Sequence, residues 1–78
     1  MARKVFVGVK ITVDIEGKVT PLSITWEDGR VFEIDQVTEI RRAASMSAGG
    51  VGIRYTCMIN GKPKHLYFED PRWFMEGK

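Results

Sequence analysis

Between residues 5 and 15 every odd position is β-branched: Val5, Val7, Val9, Ile11, Val13 and Ile15, with Phe6, Gly8, Lys10, Thr12 and Asp14 between them. A period of two places one row on one face of a strand, whereas a helix would scatter it around the whole circumference. The run therefore predicts a strand with one buried face. About eleven residues is also long for a strand, long enough to bend or to serve two neighbours, and Gly8 is the expected bend.

The alternation continues along the chain, punctuated by turn residues. Glu16-Gly17-Lys18 predicts a turn in which Gly17 takes positive φ. A second strand over residues 19–26 would carry Leu22, Ile24 and Trp26 on one side. Pro21 has no N–H for a ladder bond, so it belongs at an edge or a bulge. Glu27-Asp28-Gly29-Arg30 predicts a two-residue hairpin turn joining strands two and three. The third strand places Phe32 and Ile34 on one face, but Val37 and Ile40 follow at intervals of three. That shift requires either a bulge around Asp35-Gln36, the preferred reading, or a short helical turn.

The only glycine- and serine-rich stretch, residues 45–52, predicts the longest loop. Beyond it Ile53, Tyr55, Cys57 and Ile59 alternate with Arg54, Thr56, Met58 and Asn60. Asn60-Gly61 then predicts a type I′ hairpin into His65-Leu66-Tyr67-Phe68. A turn at Glu69-Asp70-Pro71-Arg72 leads to a last strand at Trp73-Phe74-Met75. Six short strands and no segment of helical period imply one all-β domain over residues 1–78. The expected form is a strongly bent antiparallel meander closing as an SH3-like barrel, with an OB-like barrel as the alternative.

Cysteine and histidine counts limit the chemistry. One cysteine, Cys57, excludes an intrachain disulfide, and with one histidine, His65, there is no zinc-binding cluster. This usage fits a reducing compartment. The N-terminal residues lack a continuous apolar run, so a cytoplasmic protein without membrane attachment is expected. No cofactor or metal is implied. A Cys57–His65 nucleophilic pair is arithmetically possible, yet counting outward from Asn60-Gly61 sets Cys57 across from Lys64 and His65 across from Thr56, on opposite faces. Gly49-Gly50-Val51-Gly52 lacks the Lys-Ser/Thr of a phosphate loop, and Glu27, Asp28, Glu33 and Asp35 read as solvated charge. The expectation is a protein that is not an enzyme.

Charge is uneven. Residues 1–39 hold five Lys/Arg and seven Asp/Glu, while residues 40–78 hold seven and three. In that basic half Arg41, Arg42, Arg54, Tyr55, Lys62, Lys64, Tyr67, Arg72 and Trp73 define a candidate surface. Cations with interleaved aromatics are what small barrels use for single-stranded nucleic acid. The competing reading is that the aromatics fill the core and its rim while Lys and Arg protect edge strands.

Three stretches, Ile24-Thr25-Trp26-Glu27-Asp28-Gly29-Arg30-Val31-Phe32-Glu33-Ile34, Gly49-Gly50-Val51-Gly52-Ile53-Arg54-Tyr55-Thr56-Cys57 and Tyr67-Phe68-Glu69-Asp70-Pro71-Arg72-Trp73-Phe74, together resemble a family of very short, single-domain bacterial proteins without an established activity. The resemblance spans nearly the whole chain and implies no functional residue. A looser similarity links Trp26-Glu27-Asp28-Gly29-Arg30 and Asp70-Pro71-Arg72-Trp73 to small domains with a Trp-x-Gly-Arg-x-aromatic hairpin and an Asp-x-x-Trp ending, some associated with DNA-damage tolerance. The first motif here departs in spacing.

These observations converge on a non-enzymatic binding or adaptor module that engages a macromolecule through a barrel face or strand edge. Expected partners are a second copy of the chain or another protein, with single-stranded nucleic acid as the alternative. An enzyme subunit completed by a partner is the contrasting class. The β-branched first strand favours self-association, because it presents more apolar surface than one small core covers.

Overall fold

The computed structural model describes residues 3–44 and 51–77. Seven strands are present among them: β1 (Arg3–Val13), β2 (Val19–Thr25), β3 (Val31–Glu33), β4 (Gln36–Ala44), β5 (Val51–Ile59), β6 (Lys62–Glu69) and β7 (Arg72–Gly77). All pairings are antiparallel, in the order β3-β2-β1-β7-β6-β5-β4, and the sheet curls into a half-barrel. The all-β expectation holds, and the curl is compatible with a small barrel.

β1 is the strand that joins the two parts of the sheet. Arg3 through Val7 pair with β7, ending at Val7 opposite Trp73, and Gly8 opposite Thr25 begins the pairing with β2. The long β-branched run does serve two neighbours, and Gly8 is where it changes partner. The other closure comes from the chain between β3 and β4, the two edges of the sheet. Ile34 N–H donates to Leu22 O at 2.9 Å, and the next residue, Asp35, donates to Met58 O at 2.8 Å. Two consecutive residues thus tie the β2 flank to the β5 flank. This break divides the expected third strand in two. The irregularity expected at Asp35-Gln36 lies slightly later, where Thr38 is skipped between Val37 opposite Cys57 and Glu39 opposite Thr56; no helical turn intervenes.

Turn chemistry sets the registers. Asn60 and Gly61 both have positive φ, 52° and 75°, and join Ile59 to Lys62 as a two-residue turn. The Asp28-Gly29 turn instead spans three residues: Gly29 N–H donates to Trp26 O at 2.9 Å and Trp26 N–H to Arg30 O at 2.8 Å, with Gly29 at φ 91°. A type I turn followed by a left-handed glycine is the usual three-residue hairpin. The same design recurs at Asp14, Gly17 and Lys18, where the Asp14 carboxylate also accepts from the Glu16 and Lys18 amides. Pro21 is fully buried at a bulge, where Lys10 faces Ser23 and Ile11 faces Pro21. The bulge turns Leu22 outward, so it does not join Ile24 and Trp26 as expected.

The concave face carries the main core: Ile24, Tyr55, Cys57, Ile59, Leu66 and Met75, flanked by half-buried Val7, Val9, Trp26, Phe32, Phe68 and Trp73. The convex face is not simply polar. Tyr67 and Phe74 are only 2% and 1% exposed there, their rings stacked with centroids 4.9 Å apart and Phe6 edge-on to Phe74. Cationic side chains roof this stack, Lys4 Nζ lying 4.8 Å from the Phe74 centroid and the Arg72 guanidinium 4.0 Å from that of Phe6. Along β1 burial fades in the other direction. Val5 is buried, but Ile11, Val13 and Ile15 are 41%, 54% and 104% exposed. The single buried face expected over residues 5–15 therefore ends after Val9, where β7 no longer runs alongside.

Candidate binding groove

The concave face opens into a groove of about 590 Å³ between two hairpins. The β2–β3 hairpin contributes Ile24, Trp26, Arg30 and Phe32; the β5–β6 hairpin contributes Ile59, Asn60, Lys62 and Lys64; Met75 and Glu76 of β7 complete it. Strand divergence creates the space. β6 pairs with β7 from Glu69 to Tyr67, the last pair being Tyr67 with Phe74, and from there β7 stays with β1 while the β5–β6 hairpin leans away. An adjoining hollow lined by Pro63, Lys64, His65, Met75 and Glu76 follows the same separation.

Strand parity aims these side chains inward. Ile24 faces Phe32 across β2–β3, and the pair formed by Trp26 and Arg30 closes that hairpin one step further on. Across β5–β6, Lys62 faces Ile59 and Lys64 faces Cys57, so both lysines stand on the core's own face but beyond its covered part. The result is an apolar, aromatic floor with cations on its rim. Arg30 is braced twice: its Nε donates to Asp28 Oδ2 at 2.7 Å and its guanidinium lies 5.5 Å from the Phe32 centroid. Hydrogen bonds from the Arg30 amide and side chain hold the Asp28 carboxyl below its usual value, although desolvation opposes them. Arg30 thus stacks on a ring but pairs with Asp28, while Glu27 pairs with Arg3 at 2.9 Å. Among the described residues Lys62 and Lys64 make no ion pair within 4.0 Å. Glu76 places a carboxylate on the rim, and its Oε1 accepts from the Tyr67 hydroxyl at 3.3 Å.

The nine residues of the expected surface do not form one patch. Lys62 and Lys64 reach the groove. Arg54, Tyr67 and Arg72 lie on the convex face, where Arg54 meets Glu39 at 3.4 Å and Arg72 covers Phe6. Arg41 is exposed beside Glu39 at 3.8 Å, and Arg42 is exposed opposite Ile53 near the end of β4. Tyr55 is buried against Trp73 at 5.3 Å, and Trp73 also packs on Phe68 at 4.7 Å. Tyr55 and Tyr67 are therefore buried packing residues, and Trp73 is half-buried with its ring packed between Tyr55 and Phe68. Burial raises the pKa values of both tyrosines, and for Tyr67 the nearby Glu76 adds to the rise.

The two aromatics in the groove, Trp26 and Phe32, come from the acidic half of the chain, outside the basic surface that the sequence suggests. Their signal was present: two aromatics and an Arg on one face of a single hairpin. What concealed the site was the folding of that hairpin over β5–β6, remote in sequence. The register also answers the Cys57–His65 question, with Cys57 opposite Lys64 and His65 opposite Thr56, on opposite faces as counted. Cys57 is wholly buried, and desolvation pushes its thiol up to about 11. Glu27, Asp28, Glu33 and Asp35 are all exposed. No group of three or more His, Cys, Asp or Glu among the described residues is placed to hold a metal ion. No helix among them is long and apolar enough to cross a membrane. The loop expected over residues 45–52 falls mostly on 45–50, outside the described residues; Val51 and Gly52 begin β5.

Comparison with protein-family models, curated proteins and solved structures returned no match.

Proposed function

We propose that this chain is a non-enzymatic binding module whose concave groove holds a short segment of single-stranded nucleic acid. The observation that carries the reading is the pairing of two half-buried aromatic rings, Trp26 and Phe32, with three cations, Arg30, Lys62 and Lys64, around one open groove. Bases stack on aromatic faces at about 1–3 kcal/mol each, and phosphates follow lysines and arginines along the rim. Neither element alone selects such a ligand. An apolar groove without cations fits a peptide, and cations without exposed rings fit any polyanion.

Arg30 has a defined part in this reading. Contacting Asp28 and Phe32, it presents a planar cation beside the rings. Lys62 and Lys64, which make no ion pair among the described residues, act as point charges on the rim of the groove.

The test is fluorescence anisotropy of a labelled single-stranded oligonucleotide titrated with the protein at several salt concentrations. Saturable binding is expected, with a linear fall of log affinity against log salt. The double variant Lys62→Glu, Lys64→Glu should abolish measurable binding, whereas Lys62→Gln, Lys64→Gln should flatten the salt slope by about 1.4. Trp26→Ala should weaken binding about tenfold or more while leaving that slope unchanged. An affinity indifferent to Trp26, or no saturation at several hundred micromolar protein, would sink the reading.

A further inference from the structure

The arm formed by the distal parts of β1 and β2 has no counterpart on its outer side. β7 leaves β1 after Val7, and beyond Gly8 the strand beside β1 is β2, as far as Val13 opposite Val19. Among the described residues, the other edge of β1 over residues 9–13 is an unpaired strand edge. That edge is flanked by the apolar row that burial abandons: Ile11, Val13 and Ile15. Lys10, Thr12 and Asp14, all exposed, alternate with them on the opposite face.

We propose that this edge pairs with the same edge of a second copy, antiparallel and two-fold symmetric about Thr12. The sequence of β1 is self-complementary in that register. Thr12 meets Thr12 of the second copy on the axis; Ile11 meets Val13 of the second copy; Lys10 meets Asp14 of the second copy; and each pair occurs twice. Directly opposed residues share a face, so apolar meets apolar on one side and Lys meets Asp on the other. A shift by one residue would set the apolar row against the polar one. A shift by two in either direction sets Lys10 opposite Thr12 or opposite Glu16, a turn residue beyond the end of the strand. Of these registers, the one centred on Thr12 alone places both opposite charges on paired strand positions or their immediate boundary. Asp14 has an oxygen for this contact, because its turn hydrogen bonds both use Oδ1. The product is a continuous four-stranded ribbon, β2-β1-β1-β2, that sets Ile11 of each copy beside Val13 of the other. A two-fold operation closes on itself, so assembly ends at two.

The register can be read by cross-linking. On the axis, Cβ atoms of opposed residues lie about 4.5–5.5 Å apart, at the margin of disulfide geometry. Thr20 faces Thr12 within one copy, so the two Thr20 residues of a dimer lie three strand spacings apart, about 14 Å. Under mild oxidation the Thr12→Cys chain should link to a covalent dimer and the Thr20→Cys chain should not; buried Cys57 stays silent in both. Sedimentation of the unmodified protein should give twice the 8.9 kDa of one chain in the micromolar range. Lys10→Glu, which sets a carboxylate against Asp14 of the second copy at both ends of the ribbon, should raise the dissociation constant at least about tenfold without lowering the melting temperature measured at monomeric dilution. A single-chain mass at several hundred micromolar would overturn the proposal. So would a dimer in which Thr12→Cys fails to link, or one that Lys10→Glu leaves unchanged.

Discussion

Two stretches of the same strand lie in opposite surroundings. Where the first half of β1 meets β7 and β6, both faces of the sheet are covered: Val5 and Met75 on the concave side, and the stack of Tyr67 and Phe74 on the convex side. Beyond Val9 the same alternating sequence has one neighbour and little cover, and Ile15 is fully exposed. Residue type does not distinguish the halves, since both carry β-branched residues at every second position. What differs is the number of strands alongside, and a two-stranded ribbon cannot bury a face by itself.

The largest contrast is expected from truncating side chains in each half. Phe74→Ala removes a fully buried ring that stacks on Tyr67 and should lower unfolding stability by about 3–5 kcal/mol, read from urea denaturation. An effect under about 1 kcal/mol would show that the convex stack is not a second core. Glycine substitutions sharpen the same point. A Cβ at Gly52 would run into the Phe68 carbonyl oxygen, so Gly52→Ala must displace backbone and should cost about 3 kcal/mol. At Gly17, in the arm, a Cβ meets nothing within 4 Å, and only its φ of 88° opposes a side chain. Gly17→Ala should cost about 1–2 kcal/mol.

Between about pH 9 and 10 alkaline pH probes the concave core through Cys57. Below about pH 9 the Cys57 thiol is protonated in both folded and unfolded chains, and stability is unaffected. Between about pH 9 and its folded value of about 11 the unfolded chain loses the proton and the folded chain keeps it, so stability falls as pH rises, by about 3 kcal/mol in all. Cys57→Ala should flatten this fall, leaving the part above about pH 10 due to Tyr55 and Tyr67, whose values are also raised. A variant with the same pH profile as the parent would show that the thiol titrates in contact with water. The smallest effect belongs to the arm: Ile15→Ser, measured at dilution where the chain is monomeric, should change stability by less than about 0.5 kcal/mol.

The hairpin at Asn60-Gly61 and the placement of Cys57 and His65 were legible because each rests on counting along the chain from a turn whose residues require positive φ. The groove was legible only by halves. Lys62 and Lys64 stood out as charge, but Trp26, Arg30 and Phe32 belong to the acidic half, and average charge hid them. Tyr55, Tyr67 and Trp73 misled for the complementary reason: an aromatic beside a cation in sequence says nothing about which ring is exposed. Leu22 was placed on the wrong face because a one-residue bulge inverts the alternation, and sequence period alone does not locate such a bulge to a residue.

By itself, then, the sequence determined what depends on neighbours along the chain: the period-two strands, the all-β class, the glycine-bearing turns and the parity of residues across a tight hairpin. Tertiary structure alone decided what depends on strands distant in the chain. It chose which half of β1 is covered, broke the third strand at Ile34 and Asp35 so that it ties two flanks of the sheet, and brought the β2–β3 aromatics over the β5–β6 lysines. The physical reason is that backbone conformation responds to local sterics, whereas burial is set by whatever surface arrives from elsewhere.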